Sequence, residues 1–337
     1  MVNFKLKLRK ESSAQFSGNL PLSKIPILKE RNYHIVDVPL DGEAPKQYIK
    51  AYFYYPNCPR ISSPDQWDGY YAKFGGKSYP HESIVEFAIN KIGEGLGLKM
   101  NETQLAVING QVRFLSKDFL KKGQRLIHGI EILAEYLEDK EFVEEINEDK
   151  KNRREYLTFD VIEQAIKHVY PKEESHILTE LIKMITFDAL AGNNDRHFYN
   201  WGVIGDTAKG KKTGVVFAPV YDSARGLFWN HTQDRLLKLY KGYKTSSKQV
   251  ESYLKKSEPR FSCESNPKAN HFQLIEFLVK YDNKYKDIVT YLCTEEKENC
   301  VYSKLDRHVF SLFSHERKEI MKEILRLRFN IIRGLVK

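Results

Sequence analysis

Apolar residues alternate with polar ones early in the chain and recur every three to four residues later. Phe4, Leu6 and Leu8 interleave with Lys5, Lys7 and Arg9, which predicts a half-buried strand over residues 3–9. Residues 33–38 alternate less cleanly. Residues 47–55 are dense in β-forming side chains and predict a strand. A loop rich in Pro, Ser, Asp and Gly spans 56–69. Residues 70–74 form the next short strand, with Lys73 inside it and Gly75-Gly76 closing it. Gly75-Gly76-Lys77-Ser78 has the ending of a phosphate-binding P-loop, but Tyr71 stands where that motif needs a glycine, so a plain turn is expected. Leu105–Ile108, Asn109-Gly110 and 111–115 predict a β-hairpin with Asn-Gly as its tight turn.

The period then lengthens. Pro80 opens a helix capped near Ser78 or Tyr79. Its buried face is Val85, Ala88, Ile89, Ile92 and Leu96, and Gly97 lies near its end. Ile130, Leu133, Ala134 and Leu137 mark an amphipathic segment. Residues 144–155 are almost entirely polar and predict a solvated helix end or linker. Thr158 caps a helix that runs to Tyr170, before Pro171. Ser175 is expected to cap the next, 177–191, which is apolar nearly all round and so belongs at the centre of the core; Gly192 terminates it. Short strands at 201–204 and 215–218 flank a Lys209-Gly210-Lys211-Lys212 turn. Residues 240–248 predict a mobile basic loop. Helices follow at 271–280 and 286–292, and a final one at 309–332.

With 337 residues, one large or two modest lobes are expected. No apolar run reaches the length of a membrane span, so stable membrane insertion is not expected. Residues 1–5 lack an apolar leader core, which gives a cytoplasmic expectation. Cys58, Cys263, Cys293 and Cys300 are scattered, without metal-ligand spacing, and are expected to be reduced. The net charge of +9 fits either a soluble basic surface or attraction to polyanions.

Candidate chemistry is concentrated between Gly192 and Asp222. Gly192-Asn193-Asn194-Asp195-Arg196-His197-Phe198-Tyr199-Asn200-Trp201-Gly202 is followed, after the hairpin, by Ala218-Pro219-Val220-Tyr221-Asp222. Phosphoryl transfer needs a carboxylate facing an acceptor hydroxyl, and Asp195 supplies one. Mg²⁺ prefers oxygen ligands, which Asn200 and Asp222 supply. The phosphates of ATP need a cation fixed by a carboxylate. Lys73 on a strand and Glu86 on the next helix form such a pair. Asp195 and Asn200 have the spacing of the kinase motif His-Arg-Asp-x-x-x-x-Asn, except that here Arg and His follow the Asp.

Gly-Asn-x-Asp-x-His-x-x-Asn-Trp followed by Pro-x-Tyr-Asp resembles the HipA-like Ser/Thr kinases. Gly192, Asn193, Asp195, His197, Asn200, Trp201, Pro219, Tyr221 and Asp222 match as they stand. The match by motif covers residues 45–230. Beyond 230 the chain is similar only in its helical character. The resemblance implies an α+β, bilobal protein-kinase-like fold, with a β-rich N-lobe over 1–120 and a mainly helical C-lobe over 121–337. It implies ATP and Mg²⁺ as cofactors and Asp195 as catalytic base. Asn193 and His197 would belong to the catalytic loop and brace it. Asn200 and Asp222 would be the metal ligands, and Lys73 with Glu86 the phosphate contact. Phe114-Leu115-Ser116-Lys117-Asp118-Phe119 resembles the hinge where adenine meets backbone, which implicates Ser116, Lys117 and Asp118. It further implies a protein substrate, such as a translation factor or tRNA synthetase, and an antitoxin partner, with no direct nucleic-acid binding. The chain departs from the family in the 56–69 loop, which is Pro/Ser-rich, not glycine-rich. In the family's namesake a serine of that loop is autophosphorylated, and Ser62 and Ser63 stand in the corresponding stretch. The extra N-terminal domain of long members is missing or reduced to residues 1–40.

Two other functions fit parts of the pattern. Asp195-Arg196-His197-x-x-Asn200 also fits the loop of phosphoinositide kinases, although Ser223-Ala224 follows Asp222 where those enzymes have Phe-Gly or Asn-Gly. A non-catalytic nucleotide- or DNA-binding regulator on a kinase scaffold would fit the charge, but no DNA-reading helix pair is recognisable.

Overall fold

The computed structural model describes residues 22–39, 46–54, 61–73, 75, 81–206, 214–246 and 248–337. The expected strand at 3–9, the caps at Ser78 and Tyr79, Cys58 and the turns at 76–78 and 209–212 lie outside the described residues.

Five antiparallel strands form the first sheet, in the order β1-β2-β3-β5-β4: β1 (Tyr33–Val36), β2 (Lys46–Ala51), β3 (Asp68–Lys73), β4 (Thr103–Ile108) and β5 (Gln111–Lys117). Asn109 (φ 52°) and Gly110 (φ 75°) make the tight β4–β5 turn expected of Asn-Gly. Strand β3 begins at Asp68, within the expected loop, because Asp68–Lys73 pairs along its whole length with β2. One sheet face buries Ile49, Ala51, Tyr70, Ala72, Ala106, Ile108 and Leu115. Side chains alternate along a strand, so Tyr71 and Lys73 lie on the other face.

Helix α1 (Glu82–Leu96) packs on the sheet, with His81 at its N-cap. Gly97 ends it in the left-handed region at φ 83°. The predicted face of α1 is fully buried, in a core that continues into the helical part. After β5 comes β6 (Gln124–His128), a strand the periodicity did not announce. It is five residues long, lies at an edge among the described residues, and pairs with β7 (Gly202–Asp206), which in turn pairs with β8 (Val216–Phe217).

Helices α2 (Gly129–Leu137), α3 (Lys140–Glu148), α4 (Lys150–Tyr156), α5 (Phe159–Val169) and α6 (Glu174–Ala191) follow. Residues 144–155 are the end of α3 and most of α4, a largely exposed helical stretch and not a linker. Arg153 and Arg154 are buried there, donating to backbone oxygens of Asn147, Arg260, Pro259, Pro267 and Ala269. Thr158 caps α5 as expected. The N-cap of α6 is Glu173, and Ser175 lies inside the helix.

The basic segment at 240–248 is helical rather than a mobile loop. Helix α7 (Gln233–Thr245), capped by Thr232, runs through most of it, and α8 (Lys248–Lys255) begins at its end. Then come α9 (His271–Tyr281), α10 (Asn283–Leu292), α11 (Glu295–His308) and α12 (His315–Val336). Helix α11 was not predicted because only Val301 and Leu305 of it are buried. The last helix starts after Val309, because a short 3-10 turn at Phe310–Leu312 precedes its Ser314 cap. Cys263, Cys293 and Cys300 are unpaired. Among the described residues, no helix is long and apolar enough to cross a membrane.

Candidate active site

The last residue of β3, Lys73, reaches across the cleft to two carboxylates. Its Nζ lies 2.8 Å from Glu86 Oε1 on α1 and 2.7 Å from Asp222 Oδ1 beyond β8. Burial works against the Lys73 charge, but Asp222 and Glu86 outweigh it and hold its pKa above the ordinary lysine value. Burial also pushes Glu86 up, to about 7, against the pull of the Lys73 ammonium. Asp222 goes the other way. Desolvation alone would raise its pKa, but the neighbouring ammonium holds it below the usual carboxylate range. Asp222 adopts φ 50°, a left-handed conformation that Asp tolerates better than most residues and that clusters at functional sites.

Backbone pairing carries Asp222 to this position. The segment after α1 forms a bridge with the strand before Asp222: Asn101 N donates to Val220 O at 2.9 Å and Val220 N to Lys99 O at 2.8 Å. Asn101 Nδ2 in turn donates to Ser116 Oγ (2.8 Å) and Lys117 O (2.9 Å), so one buried amide joins the hinge to the Asp222 strand. At the hinge, Lys117 N donates to Glu102 O and Asp118 N to Gly69 O. Asp118 Oδ2 accepts from Tyr48 Oη at 3.0 Å, and Asp118 Oδ1 accepts from Leu120 N. Ser116 and Lys117 thus complete β5, and Asp118 is the turn residue that leaves it. The Tyr221 ring lies 5.6 Å from Phe119, closing the cleft beneath the hinge.

The polar loop hangs from the end of α6. Gly192 takes φ 66°, and a Cβ there would lie 2.7 Å from Arg328 Nη2, so both the turn and the packing require glycine. Asn193 is fully buried: its Nδ2 donates to Asp188 Oδ1 at 2.8 Å, and its Oδ1 accepts from Asp195 N at 3.2 Å. Arg196 is only 2% exposed. It grips Asp188 through Nε (2.8 Å) and Nη2 (3.0 Å), and donates to Asn200 O, Tyr221 O and Ser223 Oγ. One guanidinium therefore joins α6, the loop and the Asp222 segment.

Asn200 donates Nδ2 to Asp195 O at 2.9 Å, which directs its amide nitrogen into the loop and leaves its side-chain oxygen as the group suited to a cation. Asp222 supplies the second hard oxygen donor, so the donor set fits Mg²⁺. His197 Nδ1 accepts from Tyr199 N at 3.3 Å. Burial outweighs the nearby Asp195 and Asp222 and lowers the His197 pKa, so the ring is neutral at pH 7 with its proton on Nε2. Asp195 is paired with arginines from distant segments. Its Oδ1 accepts from Arg260 Nη2, and its Oδ2 lies 3.1 Å from Arg225 Nε.

The structure thus brings Lys73, Glu86 and Asp222 into direct contact and places Asp195, Asn193, His197 and Asn200 in one loop. The hinge residues Ser116, Lys117 and Asp118 join this cleft through Asn101 and β3. Ser62 is exposed and Ser63 precedes the short 3-10 turn at Pro64–Gln66 without a side-chain cap. Sequence reasoning missed Asp188, Arg196, Asn101, Arg225 and Arg260. A lone Asp near the end of a mostly apolar helix was a signal for Asp188, and Arg196 stood inside the Asp-Arg-His motif; Arg225 and Arg260 gave none.

Residues 39–295 match the HipA-like C-terminal domain family. The chain belongs to this family. Its fold agrees: the HipA-like chain superposes on the crystal structure of CtkA, a proinflammatory kinase of Helicobacter pylori, with a TM-score of 0.70 at 19% identity, covering 92% of this chain and 98% of that one. It also superposes on HipA of Shewanella oneidensis MR-1, a toxin–antitoxin protein solved with HipB and operator DNA, with a TM-score of 0.51 at 11% identity, covering 93% of this chain and 73% of that one. No curated protein matches the sequence.

Proposed function

We propose that this HipA-like chain is an ATP- and Mg²⁺-dependent Ser/Thr protein kinase. The observation that carries the reading is Lys73, held at 2.8 Å from Glu86 and 2.7 Å from Asp222 across one cleft, with Asp195 at the end of a buried helix beside it. Residues 1–120 and 121–337 act as the two lobes around that cleft. When bound, ATP with Mg²⁺ would supply the phosphoryl group and the charge neutralisation its transfer needs. Lys73 contacts the phosphates and Glu86 fixes its ammonium. Asn200 and Asp222 hold the cation through oxygen. Asp118 and the backbone that follows it orient the base. His197 and Asn193 would brace the loop, through Tyr199 N on His197 Nδ1 and through Asp188 and Asp195 on Asn193. Asp195 orients the acceptor hydroxyl and takes its proton.

The family match and the two kinase-fold neighbours support this reading. HipA of Shewanella was solved with HipB, which makes an antitoxin-type protein a reasonable partner to seek by co-purification. The deciding experiment incubates the full chain with γ-labelled ATP and Mg²⁺, with and without protein acceptors. Label should reach Ser or Thr in the wild type and be lost in Asp195→Asn and Asp222→Asn. Equal labelling of the variants would defeat the assignment.

A further inference from the structure

Helix α12 lies beyond residues 39–295, the span matched to the family, yet two of its side chains reach the segments on either side of Asp195. Arg317 and Arg328 stand eleven positions apart, three helical turns, so they project from one face of α12. Both are fully buried. Burial lowers the pKa of each to about 10, and no carboxylate among the described residues opposes it. Each guanidinium donates to backbone oxygens instead. Arg328 Nη1 donates to Ala189 O at 2.7 Å, in the last turn of α6. That turn leaves carbonyls without intrahelical partners and carries the negative end of the helix dipole. The same guanidinium lies against Gly192, where a Cβ would meet Nη2 at 2.7 Å, and near the rings of Tyr253 (6.0 Å) and Phe272 (5.4 Å).

Arg317 serves the stretch that follows Asp222. Its Nη2 donates to His231 O at 2.7 Å and its Nη1 to Phe228 O at 3.4 Å. Leu227 (φ 47°) and Phe228 (φ 62°) are two consecutive left-handed residues there, both buried. Such conformations are costly outside glycine and persist only where neighbours hold them. Phe228 N also donates to Tyr253 Oη at 3.1 Å. The two segments are joined to each other. Asn194 N donates to Arg225 O at 3.1 Å, and a Cβ on Gly226 would lie 2.6 Å from Ala191 O. The end of α6, the Asp195 loop and the 225–231 stretch therefore form one packed unit, braced on α12 at two points. A methionine of similar volume would avoid the cost of an uncompensated buried charge. Packing alone does not account for two such arginines on one helix face.

We propose that Arg317 and Arg328 are positioning residues for phosphotransfer, and that α12 is the splint that sets Asp195 and Asn200 against the Asp222 segment. The proposal rests on the kinase reading of the same cleft. Neither arginine touches a reacting atom; each acts through the backbone it holds.

The test uses the full chain with Mg²⁺. Labelled-ATP transfer, to the chain itself and to dephosphorylated casein, gives the rate at saturating ATP; a fluorescent ATP analogue gives nucleotide affinity. In Arg328→Met the rate should fall by about tenfold or more, because small misplacements of reacting groups are costly. Affinity should change by less than about threefold, because Lys73 and the hinge are held by β3, α1 and Asn101, outside the braced unit. Arg317→Met should lower the rate in the same way. Both Met variants should unfold cooperatively near the wild-type midpoint. Arg328→Lys should show a smaller loss, since an ammonium keeps the charge but not the planar fork. A wild-type rate in both folded Met variants overturns the proposal. So does a loss of rate matched by an equal loss of folded protein. If the Met variants do not fold, Arg328→Lys decides: a lowered rate at wild-type stability upholds the proposal, and an unchanged rate overturns it. Absence of any transfer by the wild type would defeat the kinase reading instead. Amide hydrogen exchange then judges the splint alone: residues 192–195 should exchange faster in Arg328→Met while the β4–β5 hairpin does not, and equal exchange at 192–195 overturns it.

Discussion

Two arginine–aspartate clusters lie within a few residues of each other and differ in almost every physical respect. In the first, Arg196 holds Asp188 with two nitrogens and directs further donors at Asn200, Tyr221 and Ser223; its side chain is 2% exposed. In the second, Asp195 is shared between Arg225 and Arg260, both about a third open to solvent, and the buried Nε of Arg260 has no hydrogen-bond partner among the described residues. A closed, fully donated guanidinium fixes the position of the loop. A partly open one also meets solvent. The comparison separates an ion pair that builds the 192–202 loop from one that stays partly open to solvent, although both sets are Arg and Asp.

The largest expected effect lies on the open side. Asp195→Asn and Asp222→Asn should each lower phosphate transfer by on the order of 10³-fold, the scale of removing a base or a metal ligand. Circular dichroism should show the Asp195→Asn fold intact. On the closed side the effect is on stability. Arg196→Met leaves Asp188 buried and uncompensated, so urea unfolding should show a loss of about 3–5 kcal/mol. Arg225→Met should change stability by less than about 1 kcal/mol, because its ion pair is solvent-screened. Comparable losses for the two variants would erase the distinction drawn above.

A third expectation concerns helix α1, which carries Glu86. A Cβ on Gly95 would lie 2.6 Å from Val301 Cα on α11, so Gly95→Val must push two helices apart. It should cost about 1–3 kcal/mol in chemical unfolding and lower transfer as well, because the helix holding Glu86 shifts.

The smallest effect is on pH dependence. Glu86 titrates near 7 in the folded protein, above its ordinary 4.5, because burial outweighs Lys73. Its contribution to stability is therefore complete below about 4.5 and is lost as pH rises through about 7. Asp222 has the opposite sign, since its lowered pKa gives stability that is lost as pH falls. Transfer should rise severalfold through pH 7 as Glu86 ionises and grips Lys73. A pH–rate profile of Glu86→Gln should lack that rise.

Much of this was legible along the chain where a local rule applied. Gly97 and Gly192 stop helices, Asn109-Gly110 makes the hairpin and Thr158 caps α5, each through contacts within a few residues. Lys73, Glu86 and Asp222, picked out by residue type and order, do meet in the structure, and Asp195 and Asn200 share one loop. What escaped depends on tertiary contact. Arg260 meets Asp195 from 65 residues away, and nothing in its neighbours marks it. Helix α11 shows two buried positions and an otherwise polar surface, too little for a period. Within the largely exposed stretch 144–155, Arg153 and Arg154 looked solvated because they are charged, yet both are buried by donating to main-chain carbonyls. The basic stretch at 240–248 looked loop-like because composition outweighed the Thr232 cap upstream.

The close crossing at Gly95 and Val301 has a consequence for chemical control of the protein. Lys304 of α11 also holds Glu94 at 3.2 Å, so α1 is fastened to the helical lobe beside its closest backbone contact. An inhibitor that requires this helix to swing outward would first have to prise that seam open.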